Sequence, residues 1–141
     1  MIREFVALDM DRVLSIWLES SVQAHGFIDP AFWESKLDDM RHIYIPASET
    51  YVYESDREVK GFFSVHGDSL AAIFVAPDCQ GDGVGQKLMK KVKSLRKRIT
   101  LCVYKENGKA VAFYKRCGFK ETSERQDPHT GQVEWVMEFD S

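Results

Sequence analysis

The sequence predicts a mixed α/β domain built around one sheet. Three observations predict it: the alternation of strand-like and helix-like segments, a chain of 141 residues without internal repeat or linker, and a glycine-rich turn between a buried strand and an amphipathic helix. The expected order is β-α-α-β-β-β-α-β-α-β-β, an α/β fold with a mixed (α+β type) sheet, as one domain over residues 1–141. Right-handed crossovers are expected wherever a helix joins parallel neighbours.

The opening segment 2–6 alternates as a short strand. Asp9 is placed to cap a helix in which Val13, Leu14, Trp17 and Leu18 recur at helical spacing, ending near Gly26. Asp29-Pro30 reads as an N-cap followed by proline at the first helical position, opening a second helix through Phe32, Trp33 and Leu37 to about Arg41. Segments 50–54 and 59–66, rich in Tyr, Val and Phe, flank the polar tetrad Ser55-Asp56-Arg57-Glu58 and form a hairpin signature. After Gly67-Asp68, the apolar run 69–75 reads as a central strand stopped by Pro77. Val84, Leu88, Val92 and Leu95 make residues 83–98 an amphipathic helix, and 99–103 a β-branched strand. Asn107 can cap a helix carrying Ala110, Val111, Phe113, Tyr114 and Cys117, which Gly118 ends. Strands at 119–123 and 133–139 close the chain.

Composition excludes several classes. The net charge is −3, which argues against a nucleic-acid partner. Residues 1–68 carry 13 acidic and 6 basic side chains and residues 69–141 carry 9 and 13, a division suited to an anionic cofactor on one side and a cationic substrate on the other. The longest stretches without Asp, Glu, Lys or Arg are nine residues, 20–28 and 69–77, too short for a membrane span. The N-terminus has no basic-then-apolar leader, so the expected compartment is the cytoplasm. Cys79, Cys102 and Cys117 form no C-x-x-C pair and His25, His42, His66 and His129 no H-x-x-x-H pair, so no metal is expected.

The segment Gln80-Gly81-Asp82-Gly83-Val84-Gly85 carries the chemistry. Glycines there let backbone approach a ligand and aim successive N–H groups from a positive helix end, which makes an anion site. No Gly-Lys-Ser/Thr follows, as a Walker loop requires, and Gln86 stands where G-x-G-x-x-G needs glycine. With Val75 to Gly85, Asn107 some 22 residues further on, and Ala112-Phe113-Tyr114-Lys115-Arg116-Cys117-Gly118-Phe119, the chain closely resembles the GCN5-related N-acetyltransferase (GNAT) superfamily. Through Ser15 to Ser20 and His25-Gly26-Phe27-Ile28 it is most similar to the small bacterial acetyltransferases of the YiaC and YjaB kind.

That resemblance implies acetyl transfer from acetyl-CoA to a primary amine in a ternary complex. It assigns the pyrophosphate to Gln80, Gly81, Asp82, Gly83, Val84 and Gly85, the pantetheine arm to the backbone of Ile73, Phe74 and Val75, and a further arm contact to Asn107. The Val75 N–H would polarise the thioester carbonyl, and Tyr114 would protonate the departing thiolate. A tyrosine, with a pKa near 10, fits that task on chemistry alone, since a free thiol sits near 8.5. Asp82 departs from the family pattern, because a carboxylate beside a pyrophosphate costs affinity unless it points into solvent. Basic residues from Lys87 to Arg98 could offset it. A base must deprotonate the amine; Glu54, His66 and Asp68 are candidates near strand ends. Trp17, His25, Phe27, Trp33 and Tyr44 form an aromatic set, of which His25 and Phe27 in the interhelical loop, with Trp33, are expected to line the amine pocket. The expected acceptor is a peptide or protein lysine or an N-terminus, ahead of a small polyamine or antibiotic; a non-catalytic acyl-CoA sensor is the alternative. The chain is expected as a monomer or homodimer.

Overall fold

The computed structural model describes residues 1–141. Strand β1 (Ile2–Glu4) leads through a 3-10 turn (Ala7–Asp9) into α1 (Met10–Ala24). Then come α2 (Pro30–Ser35), the short α3 (Leu37–Asp39) and a π-helical turn (Met40–Tyr44). Strands β2 (Glu49–Ser55), β3 (Glu58–His66) and β4 (Ser69–Val75) precede α4 (Val84–Leu95), β5 (Arg98–Tyr104), α5 (Gly108–Arg116), β6 (Lys120–Gln126) and β7 (Val133–Asp140). The strands form one seven-stranded sheet in the order β1-β2-β3-β4-β5-β7-β6. All neighbours are antiparallel except β4 and β5, the pair that α4 joins. No helix is long and apolar enough to cross a membrane.

Helices cover both faces. On one, Val84, Leu88, Met89 and Val92 of α4 and Val111 of α5 pack over Phe63, Leu70, Ile99, Leu101, Val103 and Met137. On the other, Val13, Leu14, Ile16 and Trp17 of α1 and Trp33 of α2 pack over Val52, Phe62 and Ala76. The β2–β3 hairpin closes through Asp56 and Arg57, both at positive φ (54° and 63°), as a right-twisted two-residue turn requires.

Two local expectations are corrected. The Asp9 side chain does not cap α1: it accepts from the Val6 N–H (2.9 Å) and from both terminal nitrogens of Arg3 (2.8 and 3.0 Å), so it closes the 3-10 turn and ties it to β1. The Arg3 guanidinium holds the Asp9 carboxyl below its usual range. The second helix starts as expected, with the Asp29 side chain accepting from the Ala31 N–H (2.9 Å), but it breaks at Lys36. The Lys36 N–H bonds to the Trp33 carbonyl, one residue tighter than an α-helix, and the wide π turn that follows carries Ile45 into the core.

Candidate active site

Strands β4 and β5 pair at one point, Ser69 opposite Thr100, where the Thr100 N–H donates to the Asp68 carbonyl (2.8 Å). Beyond it they part. An extra residue at Ala71 shifts the β3–β4 register, so Leu70 faces the α4–α5 layer whereas Ala72 and Phe74 face the α1–α2 layer. Gly61 stands opposite Val75 and the Ala76 N–H donates to the Lys60 carbonyl (2.8 Å). In an antiparallel ladder that pattern commits the Phe74 backbone to β3 and turns the N–H and C=O of Ile73 and Val75 into the gap. The Val75 carbonyl accepts from Ser20 Oγ (3.1 Å) and Gln80 Nε2 (3.3 Å). The gap opens into a cleft of about 910 Å³.

At its rim the loop turns through Gly81 (φ 93°) and Gly83 (φ 79°), a conformation L side chains rarely adopt. Gly83 precedes α4, and no side chain caps the helix. The first intrahelical bond is Lys87 N–H to the Gly83 carbonyl (3.2 Å), which leaves the N–H groups of Val84, Gly85 and Gln86 free of helical partners at the positive end of the dipole. At Gly85 an added Cβ would lie 3.4 Å from the Phe113 ring. Gln80, Gly81, Gly83, Val84 and Gly85 all line the cleft; Asp82 is exposed and does not.

Helix α5 forms another wall. Asn107 Oδ1 caps it by accepting from the Ala110 N–H (3.3 Å), while Asn107 Nδ2 meets His25 Nε2 (3.3 Å). His25 Nδ1 in turn lies 2.8 Å from the Ser21 carbonyl. The network assigns the tautomer: Nδ1 donates and Nε2 accepts, a neutral ring, and burial lowers the His25 pKa in the same sense. Tyr114, seven residues into this segment, lines the cleft with its ring edge-on to Phe113 and Phe119. Burial pushes its phenol well up. Lys109 and Arg116 add exposed cations to the same wall.

The structure therefore gathers Ile73, Phe74, Val75, the loop apart from Asp82, Asn107, Tyr114, His25 and Trp33 around one cavity. It corrects others. Phe27 packs against Tyr104 (5.7 Å), outside the cleft, behind the buried His25 ring, which tilts on Trp33 (centroids 5.0 Å). Tyr44 is on the surface. Trp17 lines the cleft from α1. None of the three suggested bases does: Glu54 is held by Arg3 (3.3 Å), and His66 and Asp68 flank the β3–β4 turn, at the end where β4 and β5 are still paired. Sequence reasoning missed Ser20, Cys102, Lys109, Arg116 and Glu134 as lining residues. Glu134 carried a weak signal, a carboxylate among the apolar residues of the strand Val133–Asp140, a feature it shares with Glu138, and the cleft it faces is made by strands distant in sequence.

Comparison with known proteins agrees with this geometry. Residues 46–121 match the model of the acetyltransferase (GNAT) domain. The chain is 33% identical to the peptidyl-lysine N-acetyltransferase YiaC of Escherichia coli K12, over 97% of this chain and 94% of the relative. The solution structure of apo-form YjaB from Escherichia coli superposes with a TM-score of 0.84 at 27% identity, covering 99% of this chain and 96% of that one. The PaiA N-acetyltransferase of Thermoplasma acidophilum, solved in complex with coenzyme A, shares the fold with a TM-score of 0.84 at 17% identity, covering 100% and 98%.

Proposed function

Since this chain belongs to the GNAT acetyltransferase family and is an N-acetyltransferase, we propose that it moves the acetyl group of acetyl-CoA to the side-chain amine of a peptidyl lysine, in a ternary complex with Tyr114 as general acid. The observation that carries the reading is the parting of β4 from β5, which turns the Val75 N–H and the uncapped end of α4 into the same cleft as Tyr114.

The residues fit acetyl-CoA. Three free N–H groups and two open glycines offer an anion cradle in which no Cβ intrudes at Gly81 or Gly83. Asp82 is exposed, which allows its charge to stay in solvent. The exposed edge of Ile73 and Val75 can pair with an amide-bearing arm as an added strand would. When bound, the thioester supplies an activated acetyl group. The Val75 N–H is then the donor for the oxygen that gains charge, a contribution of about 3–4 kcal/mol for a well-aimed group. The raised Tyr114 phenol stays protonated through the neutral range, so its proton is available to a departing thiolate.

Lysine as acceptor is supported by the walls on the α1–α2 side. Trp17, Trp33 and a neutral His25 present apolar, uncharged rings that suit a methylene stem and do not repel its ammonium. Titration calorimetry with acetyl-CoA, followed by lysine peptides with free-thiol release as readout, tests the proposal. Binding with release is expected; absence of binding refutes it. Tyr114→Phe should lower turnover about 100-fold or more while acetyl-CoA affinity stays within about twofold. Equal turnover would remove Tyr114 from the acid role.

A further inference from the structure

A lysine ammonium, with a pKa of about 10.4, must lose a proton before it can attack a thioester. Only one carboxylate lines the cleft, that of Glu134. We infer that Glu134 receives the substrate ammonium and takes its proton, an inference that rests on the lysine acetylation proposed above.

Placement carries it. Val75 ends β4 and Tyr104 ends β5, its parallel neighbour, and Glu134 on β7 lies directly opposite Tyr104, so all three stand at the open end of the split. Strand alternation puts Glu134 on the same sheet face as Cys102 and Tyr104, the face that α1 and α2 cover further along the sheet. Tyr114 packs with α4 and α5 on the opposite face. Acid and base thus flank the thioester position from the two sides of the sheet, the base on the acceptor's side.

The groups facing Glu134 are Arg125 on β6, whose Nε lies 3.1 Å from Oε1, Asp127 just after β6, and Tyr104 and Cys102 on β5. Burial pushes the Glu134 carboxyl up, Asp127 adds to this and Arg125 opposes it. Its side chain keeps 12% exposure, a path by which a proton can leave. The other titratable groups lining the acceptor side are committed. Both His25 nitrogens are hydrogen-bonded, the Tyr104 hydroxyl donates to Asp127 (2.5 Å), and burial raises both Cys79 and Cys102.

The step balances as follows. The ammonium gives one proton to the Glu134 carboxylate; the free amine forms the C–N bond and the thioester C–S bond breaks. The second amine proton passes to water as the adduct collapses, and Tyr114, having given its proton to the thiolate sulfur, takes one back from water. The Glu134 proton passes to water, for a net yield of amide, free thiol and one proton.

The test is the pH dependence of turnover, from about pH 5.5 to about pH 10, on acetyl-CoA and a lysine peptide, for the wild type, Glu134→Gln and Arg125→Gln. Glu134→Gln should lower kcat about 100-fold near pH 7, leave acetyl-CoA affinity unchanged, and recover about tenfold per pH unit as solvent deprotonates the peptide amine. Arg125→Gln removes the opposing cation and should move the acid limb of the profile to higher pH. A Glu134→Gln profile parallel to the wild type, or an Arg125→Gln loss equal to that of Glu134→Gln with no displaced limb, overturns the assignment and leaves only a structural ion pair. Wild-type protein that binds acetyl-CoA but releases no thiol with any lysine peptide overturns instead the acceptor reading on which Glu134 depends.

Discussion

At the residue scale His25 joins the two sides of the site. Its ring lies between the Ser21 carbonyl and the Asn107 amide, and Asn107 is also the cap of the helix that carries Tyr114. Protonation would put an N–H on Nε2 against the Asn107 NH₂, two donors face to face. Burial lowers the folded-state pKa below the ordinary 6.5, so below that value the unfolded chain binds a proton that the folded chain refuses. Stability should therefore fall as pH drops through and below about 6.5, and levels off only once the folded protein also takes the proton. Carboxylates such as Asp9, whose pKa Arg3 lowers from the ordinary 3.8, act only at more acidic pH than this window. Melting temperature measured between about pH 7 and about pH 5 checks this. The decline should be steeper in the wild type than in His25→Asn, and equal slopes would contradict it. The sequence placed His25 beside the site through its loop position and its resemblance. It did not show the ring turned inward, because the partners that hold it, Ser21 and Asn107, are read separately and meet only across the fold.

At the element scale, the helices and strands were legible wherever one face is buried, since period 2 and period 3.6 are written by burial itself. Segment 133–139 and the strand Val133–Asp140 differ by one residue. What was not legible is register. The extra residue at Ala71 and the solitary Ser69–Thr100 pairing create the cleft, and neither leaves a local sequence mark. Gly61 is a case where packing, not conformation, demands glycine. An added Cβ there would sit 2.9 Å from the Phe74 carbonyl, 3.1 Å from a Leu88 methyl and 3.2 Å from a Val84 methyl, so α4 rests directly on β3 at this point. Gly61→Ala should cost about 2–3 kcal/mol, because a backbone atom must move. Gly83→Ala meets nothing within 4 Å and pays only for its φ of 79°, about 1–2 kcal/mol. Urea unfolding of the two variants orders these costs; a larger loss at Gly83 would refute the packing account of α4.

Across the whole molecule the division between an acidic first half and a basic second half has a different meaning from the one its arithmetic suggested. Much of the surplus positive charge lies on and just after α4, yet most of those side chains fold down on the sheet, Lys90 staying exposed. Lys87 and Lys91 each sit 5.5 Å from a tyrosine ring, of Tyr53 and Tyr51. Lys93 sits 4.3 Å from the Phe139 ring and donates to the Cys117 carbonyl, and Arg96 pairs with Glu49 (2.9 Å). Only the Arg96–Glu49 pair joins the two halves, the other ion pairs lying within one half or the other, so the helix that looked like a phosphate platform is anchored mainly by its lysines resting on rings. The cations that line the cleft are Lys109 and Arg116, exposed on α5. Electrostatic attraction to acetyl-CoA should then depend on α5. Calorimetry at about 50 mM and about 500 mM salt should show a several-fold loss of wild-type affinity through screening. The pair Lys109→Gln and Arg116→Gln should bind more weakly at low salt and lose most of that salt dependence. Lys87→Met and Lys91→Met should keep the wild-type salt response and lose stability instead, by about 0.5–1 kcal/mol per ring contact. If the α4 substitutions flatten the salt response and the α5 substitutions do not, the cofactor's phosphates are held by α4 after all and the charge division has its simpler meaning.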